Sequence, residues 1–240
     1  MCELTILMPC LNEARTVGNC VNKAVKFLHD NGIDGEVLVV DNESDDKSSD
    51  IAKAKGARVV CVKKKGYGSA LMYGINNACG KYIIMGDADE SYDFLELMPF
   101  VEQLRNGKDM VIGDRFSGKI EAKAMPFHRR YIGNPILSGI GRVLFHSSVK
   151  DFHCGLRGFN KEVVLRLNLQ TIGMEFATEM VVMSELLGLQ IGQVPITYHK
   201  DGRTGRSHLR SFSDGMRHIS YMLQKWISVR YENSISIKLS

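Results

Sequence analysis

Four short apolar runs, each closed by polar residues, punctuate the first ninety residues: LTILM (4–8), EVLVVD (36–41), ARVVCV (57–62) and KYIIMGDADE (81–90). Successive side chains of a strand point to opposite faces, so a strand that is apolar at consecutive positions must be covered on both sides. The covers lie between the runs. Val17, Val21, Ala24, Val25 and Leu28 recur at helical spacing, and further helices are predicted around 47–55 and 69–78. Strand, helix, strand in strict alternation predicts βαβ units and a parallel sheet with helices on both faces. DMVIGDRF (109–116) adds one more strand.

Beyond residue 117 the pattern loosens. KAMPFHRRYIGNPILSGIGRVLF is glycine-punctuated and helical in period, and DFHCGLRGFNKEVV follows it. Helices are predicted over 173–187 and 212–229, with a strand in LQIGQVPITYH and a basic loop, DGRTGRSHLR, between them. No repeat or linker divides the chain, which predicts one domain whose second half elaborates the first.

Composition excludes several classes. With 44% hydrophobic and 24% charged residues over 240 positions, the chain is an ordinary globular one with a sizeable core. No run approaches the ~18 apolar residues that cross a bilayer. Glu3 and Pro9 interrupt what would have to be a signal peptide, which predicts a chain neither exported nor self-anchored. Six cysteines without CxxC pairing are then expected as free thiols in a reducing cytoplasm.

Ligands of open α/β sheets sit beyond the carboxyl ends of the strands. Asn12 and Glu13 follow the first strand here, Asp41 ends the second, and Asp87-Ala88-Asp89 follows the fourth. Carboxylates gathered on one sheet edge need a cation, and hard oxygens suit Mg²⁺ or Mn²⁺ with a diphosphate. Gly66-Tyr67-Gly68 fits neither the dinucleotide nor the P-loop glycine pattern, and GRTGRS (202–207) lacks the P-loop lysine. Hydride transfer and ATP hydrolysis lose ground accordingly. Glu175 and Glu179 share a helical face, open to either a solvated or a site role; His153 and Cys154 read as packing residues.

MPCLNE, VVDNESDDKS, GYGSA and MGDADESYDF, in that order, resemble the nucleotide-sugar half of a family 2 glycosyltransferase. RFSG, HRRYIGNP, DFHCGLRGF, GMEFATEM and DGRTGRSHLRSFSDGMRH make the chain similar to the polyprenyl-phosphate branch, the dolichyl-phosphate mannose and glucose synthases. The resemblance implies an α/β GT-A fold: a Rossmann-like, mostly parallel central sheet with helices on both faces. It implies a catalytic domain over 1–210, with a nucleotide-sugar half (1–116) and an acceptor half (117–210), then a C-terminal amphipathic helix and tail (211–240). Pro9, Asn12, Glu13, Asp41, Gly66, Gly68 and Ala88 would hold the nucleotide sugar, and Asp87 and Asp89 the Mg²⁺ or Mn²⁺. Arg115, Arg129, Arg130, Asn134, Arg203 and Arg206 would hold the acceptor phosphate.

The implied reaction is inverting transfer of one hexose from a UDP- or GDP-sugar to polyprenyl phosphate at the cytoplasmic face of a membrane, with Asp89, Arg115, Arg130 and Asp151 catalytic. A lipid phosphate, second pKa ~6, needs no protein base. A hydroxyl acceptor, the alternative, needs one, and Asp151 is then the candidate. Phe212, Met216, Ile219, Leu223 and Trp226 form an apolar stripe expected to lie on the membrane, unless an anchoring partner protein supplies that contact. From His199 to Arg230 the chain carries seven Lys/Arg against two Asp, which also opens a nucleic-acid-binding reading. Against it, the aromatics there fall on helical spacing, so no nucleic acid is expected as partner.

Overall fold

The computed structural model describes residues 2–203 and 211–239, and for Ser211 and 232–239 the backbone alone. The apolar runs become β1 (Leu4–Cys10), β2 (Gly35–Asp41), β3 (Arg58–Cys61) and β4 (Tyr82–Met85). Each pairs in parallel: Leu4 stands between Gly35 of β2 and Tyr82 of β4, and Leu38 opposite Arg58 of β3. Helices α1 (Val17–Asp30), α2 (Ser48–Ala54) and α3 (Tyr67–Asn77) connect them. Helix α1 turns Val17, Val21, Ala24 and Leu28 into the core as their spacing requires; Val25 is left partly exposed.

The second half widens the sheet. After α4 (Met98–Arg105) come β5 (Met110–Ile120), a wide helical turn (Arg129–Gly133) and α5 (Asn134–Phe145). Strand β6 (Arg157–Asn160), α6 (Lys161–Arg166), α7 (Phe176–Leu186), β7 (Ile191–Tyr198) and α8 (Ser211–Leu239) complete the chain. Seven strands stand in the order β3-β2-β1-β4-β6-β5-β7. Strand β6 alone runs against its neighbours, pairing antiparallel with both β4 and β5. This is the mostly parallel α/β sheet that the sequence leads one to expect. Its order reverses at β1, where β2 and β3 leave to one side and β4 to the other, and such a switch point opens a crevice.

Helix α3 lies close on β1 and β2 because Gly74 has no side chain. A Cβ there would run into Leu7 and stand 2.8 Å from a Val40 methyl. Gly74→Ala should therefore cost ~1–3 kcal/mol of overpacking, outweighing the ~1 kcal/mol of helix propensity that alanine brings. A lower urea midpoint is the expected result; a higher one would mean that α3 shifts outward freely.

Two expectations change. Cys2 and Cys79 form a disulfide joining the residues just before β1 and β4, while Cys10, Cys20, Cys61 and Cys154 are free. Seventy-seven positions separate the pair, so no local spacing announces it. Helix α8 turns a different face inward than its apolar stripe suggests. Asp214, His218 and Met222, four apart, are buried, whereas Phe212, Met216 and Leu223 are exposed and of the stripe Ile219 packs on the core.

Candidate functional site

A cavity of about 430 Å³ opens at the carboxyl ends of β1, β2 and β4. Pro9, Glu13, Asn42, Gly66, Tyr67, Asp87 and Asp89 line it from the first half of the chain, and Lys123, Arg129, Asn134, His153 and His218 from the second. Arg115, Arg203 and Tyr198 also reach it.

Loop-to-loop hydrogen bonds shape the lining from the first half. Asn42 donates through Nδ2 to the carbonyls of Val62 and Lys64 and accepts at Oδ1 from the Gly66 amide, 2.9 Å away. Asn12 does not reach the cavity. It sits at positive φ, takes its amide to the Ser44 hydroxyl and accepts from the Asp45 amide, tying the loop after β1 to the loop after β2. Asp41 lies buried behind Asn42, where Oδ2 accepts from the Ser44 amide and Oδ1 has no partner. The glycines serve another contact than the one expected of them. A Cβ on Gly66, at φ +137°, would strike the Ile172 carbonyl, and one on Gly68 would stand 2.8 Å from Phe176. They seat the 171–176 segment; Gly66 also lines the cavity, and Gly68 and Ala88 are covered.

Three carboxylates meet on the cavity floor. Asp89 accepts from the Ser91 amide at 3.0 Å. Arg203 lays its guanidinium across the floor, with Nε donating to Glu13 Oε1 at 2.6 Å and Nη2 lying 3.3 Å from Asp89 Oδ2. Glu13 is nevertheless raised, chiefly by burial. Asp87 is pushed up to about 6 by burial and then by the Asp89 charge. Room for its carboxylate depends on Gly155, where a Cβ would come within 2.7 Å of Asp87 Oδ2. Arg206 lies outside the described residues.

That raised acid has a sign. Folded Asp87 binds a proton more readily than an unfolded aspartate of 3.8, so its contribution to stability is complete below about 3.8 and lost as pH rises through about 6. Without divalent cations, Asp87→Asn should lose less Tm than wild type as pH rises across that window in a melting series. An unchanged slope would remove Asp87 from the cause.

In the second half, Asp151 is not where a base must be. It is fully buried, does not line the cavity, and accepts from Arg115 Nε and Nη2 at 2.7 and 2.8 Å. With its lone pairs committed to that guanidinium, the expected base role is corrected to a structural one, and most of the Arg115 charge is neutralised with it. Arg129 lines the cavity, but Arg130 does not; its guanidinium stacks 5.2 Å from the Tyr131 ring. Asn134 reaches the cavity with Nδ2 3.5 Å from Met125 Sδ. Glu179 is a structural acid, accepting from the amides of Gln170 and Thr171 and from the Thr171 hydroxyl.

Sequence reasoning missed several lining residues. His153 and His218 both bond the buried Thr178 hydroxyl, and Arg157, fully buried below, donates to the carbonyls of Phe152, Cys154 and Ala177. Tyr92 accepts from the Gly155 amide at 2.8 Å. These come from four distant segments, and only packing brings them together.

Among the described residues no cluster of three His, Cys, Asp or Glu is arranged to hold a metal. Asp87 and Asp89 would need a ligand's own oxygens to complete one.

The chain is 39% identical over 221 residues to the low-salt glycan biosynthesis hexosyltransferase Agl6 of Haloferax volcanii, covering 92% of this chain and 53% of Agl6. It thus spans about half the length of that relative. Glycosyltransferase AglJ of the same organism is 29% identical over 88% of this chain and 67% of its own. Among solved structures, glucosyl-3-phosphoglycerate synthase from Mycobacterium tuberculosis, in complex with Mn²⁺, UDP and phosphoglyceric acid, superposes with a TM-score of 0.73. That likeness is at 20% identity over 93% of this chain and 78% of the synthase, and it shows the GT-A fold.

This neighbour overturns the narrower expectation. It was solved with a small phosphorylated acid, not with a lipid. The polyprenyl-phosphate acceptor is withdrawn, and with it the membrane-surface location, the anchoring partner and the membrane role of α8. The model of glycosyl transferase family 2 matches residues 5–167, from β1 through α6, and the chain belongs to that family.

Proposed function

We propose that this protein transfers a hexose from a nucleotide sugar to a hydroxyl of a small anionic acceptor, with inversion at the anomeric carbon and with Mg²⁺ or Mn²⁺ bound. The observation that carries the reading is the mixed charge of the cavity lining: the carboxylates Glu13, Asp87 and Asp89 share it with the cations Lys123, Arg129 and Arg203. An activated sugar on a diphosphate suits such a lining.

The pair Asp87 and Asp89 fits a divalent cation. Both are hard oxygen donors, and Gly155 leaves space beside Asp87. When bound, the cation would neutralise the departing nucleoside diphosphate. Arg203 adds a fixed positive charge on the same floor. Pro9, Asn42 and Gly66 edge the nucleotide side. The acceptor oxygen forms its bond to the anomeric carbon as the bond to the diphosphate breaks; the electron pair leaves with the diphosphate, and the hydroxyl proton is released to water in the open cavity. Lys123 and Arg129 hold the anionic part of the acceptor, so that its hydroxyl is positioned rather than merely concentrated.

The test starts with thermal shifts by UDP- and GDP-sugars in Mn²⁺. Radiolabelled donor is then offered with phosphorylated hydroxy acids and with neutral sugars. Label should appear in an aqueous anionic product that does not extract into organic solvent. A bound donor with no transfer to any hydroxyl acceptor would overturn the reading.

A further inference from the structure

Both oxygens of Asp89 are engaged by the chain itself. Oδ1 accepts from the Ser91 amide at 3.0 Å, and Oδ2 lies 3.3 Å from Arg203 Nη2. Glu13 is engaged as fully: Oε1 accepts from Arg203 Nε at 2.6 Å, and Oε2 from the Thr16 hydroxyl at 3.3 Å. One guanidinium thus bridges two carboxylates, a geometry that its planar fork of donors suits. The side chains of Arg203, Glu13 and Asp89 are only 19%, 3% and 9% exposed, so solvent ions screen these charges little.

The backbone brings Arg203 to that place. Beyond β7 the His199 amide donates to the Ser91 carbonyl at 3.0 Å, and the Gly202 amide to the Asp89 carbonyl at 2.9 Å. Gly202 comes this close because it has no side chain. A Cβ there would strike Glu90 Oε2 and stand 2.8 Å from a Thr16 methyl. Two backbone bonds therefore strap residues 199–202 onto the loop that carries Asp89, and the next side chain along is Arg203.

A divalent cation needs the same oxygen. Mg²⁺ lies ~2.1 Å from its ligands, which would leave it within roughly 5–6 Å of Nη2 across one shared carboxylate oxygen. Like charges that close repel, and burial strengthens the repulsion.

We propose that Arg203 is a built-in rival of the divalent cation: it neutralises Asp89 from within the chain, and Nη2 must leave Oδ2 for the cation to bind there, while Nε stays on Glu13. This rests on the proposed cation site at Asp87 and Asp89 and adds what controls entry to it. Divalent cation offered without a nucleotide then binds weakly.

The test is titration with Mn²⁺ alone, free Mn²⁺ being counted by electron paramagnetic resonance, for wild type, Arg203→Met, Arg203→Lys and Lys123→Met. Arg203→Met should bind Mn²⁺ at least about fivefold more tightly than wild type, the low end of an ordinary coupling between two ligands. Lysine keeps the charge but not the fork that spans Glu13 and Asp89, so Arg203→Lys should fall between. Lys123→Met removes the same charge from the same cavity without touching either carboxylate, and should shift Mn²⁺ affinity less than Arg203→Lys does. If Arg203→Met does not melt cooperatively, the sign of the shift in Arg203→Lys decides. Unchanged or weaker Mn²⁺ binding in the Arg203 variants, or equal tightening in Lys123→Met, would overturn the inference alone. Wild type that takes up Mn²⁺ neither alone nor with a UDP- or GDP-sugar overturns the proposed cation site as well.

Discussion

Asp89→Ala should lower kcat for sugar transfer by about 10²–10³-fold or more, the cost of losing one preorganised electrostatic group at a departing charge. The fold should survive. Asp89 sits in the loop after β4, bonded to the neighbouring Ser91 amide and facing Arg203, so alanine empties no part of the hydrophobic core. Without it Arg203 keeps Glu13 as partner, and of the aspartate pair only Asp87 remains. A cooperative thermal transition within a few degrees of wild type, with transfer that added Mg²⁺ or Mn²⁺ does not restore, is the expected pair of results. Substantial transfer by Asp89→Ala would remove the aspartate pair from the cation site.

The second large effect is on stability. Asp151→Ala should cost ~3–5 kcal/mol, because it leaves the Arg115 guanidinium buried without its partner. Side-chain exposure is 7% for Arg115 and none for Asp151, so neither charge has water to fall back on. Urea unfolding measures this directly. Replacing Arg115 and Asp151 together by apolar residues of like volume should be milder, since the uncompensated charge is what costs. A catalytic base gives the opposite pattern, activity lost and stability kept, and that outcome would return Asp151 to the chemistry.

The first four strands and three helices were legible because burial on both faces forces an apolar code that needs no partner to be read. Asp87 and Asp89 were legible for a related reason, standing immediately after such a strand. Strand β6 was not. RGFN contains a single large apolar residue, Phe159, and takes its strand identity from β4 and β5 on either side. Arg157 within it reads as a surface charge until its three carbonyl partners are assembled around it. The pairing of Asp151 with Arg115 spans 36 positions, and the meeting of His153 with His218 through Thr178 spans more. Function was legible to the level of the family. The acceptor was not, because cations that suit a lipid phosphate suit any small anion.

The reversed strand also imposes an order on synthesis. Strands β3, β2, β1 and β4 are all made by residue 85, yet the partner that closes the free edge of β4 ends at Asn160. Seventy-five residues separate the two, which a ribosome adds in roughly 4–15 s. Throughout that interval an edge of Tyr82, Ile83, Ile84 and Met85 hangs unpaired from a half-built sheet, apolar on both faces and open to any other strand. Nascent chains stalled between residues 85 and 160 should therefore aggregate or recruit a chaperone more than chains extended past Tyr198, where β7 has closed the edge of β5.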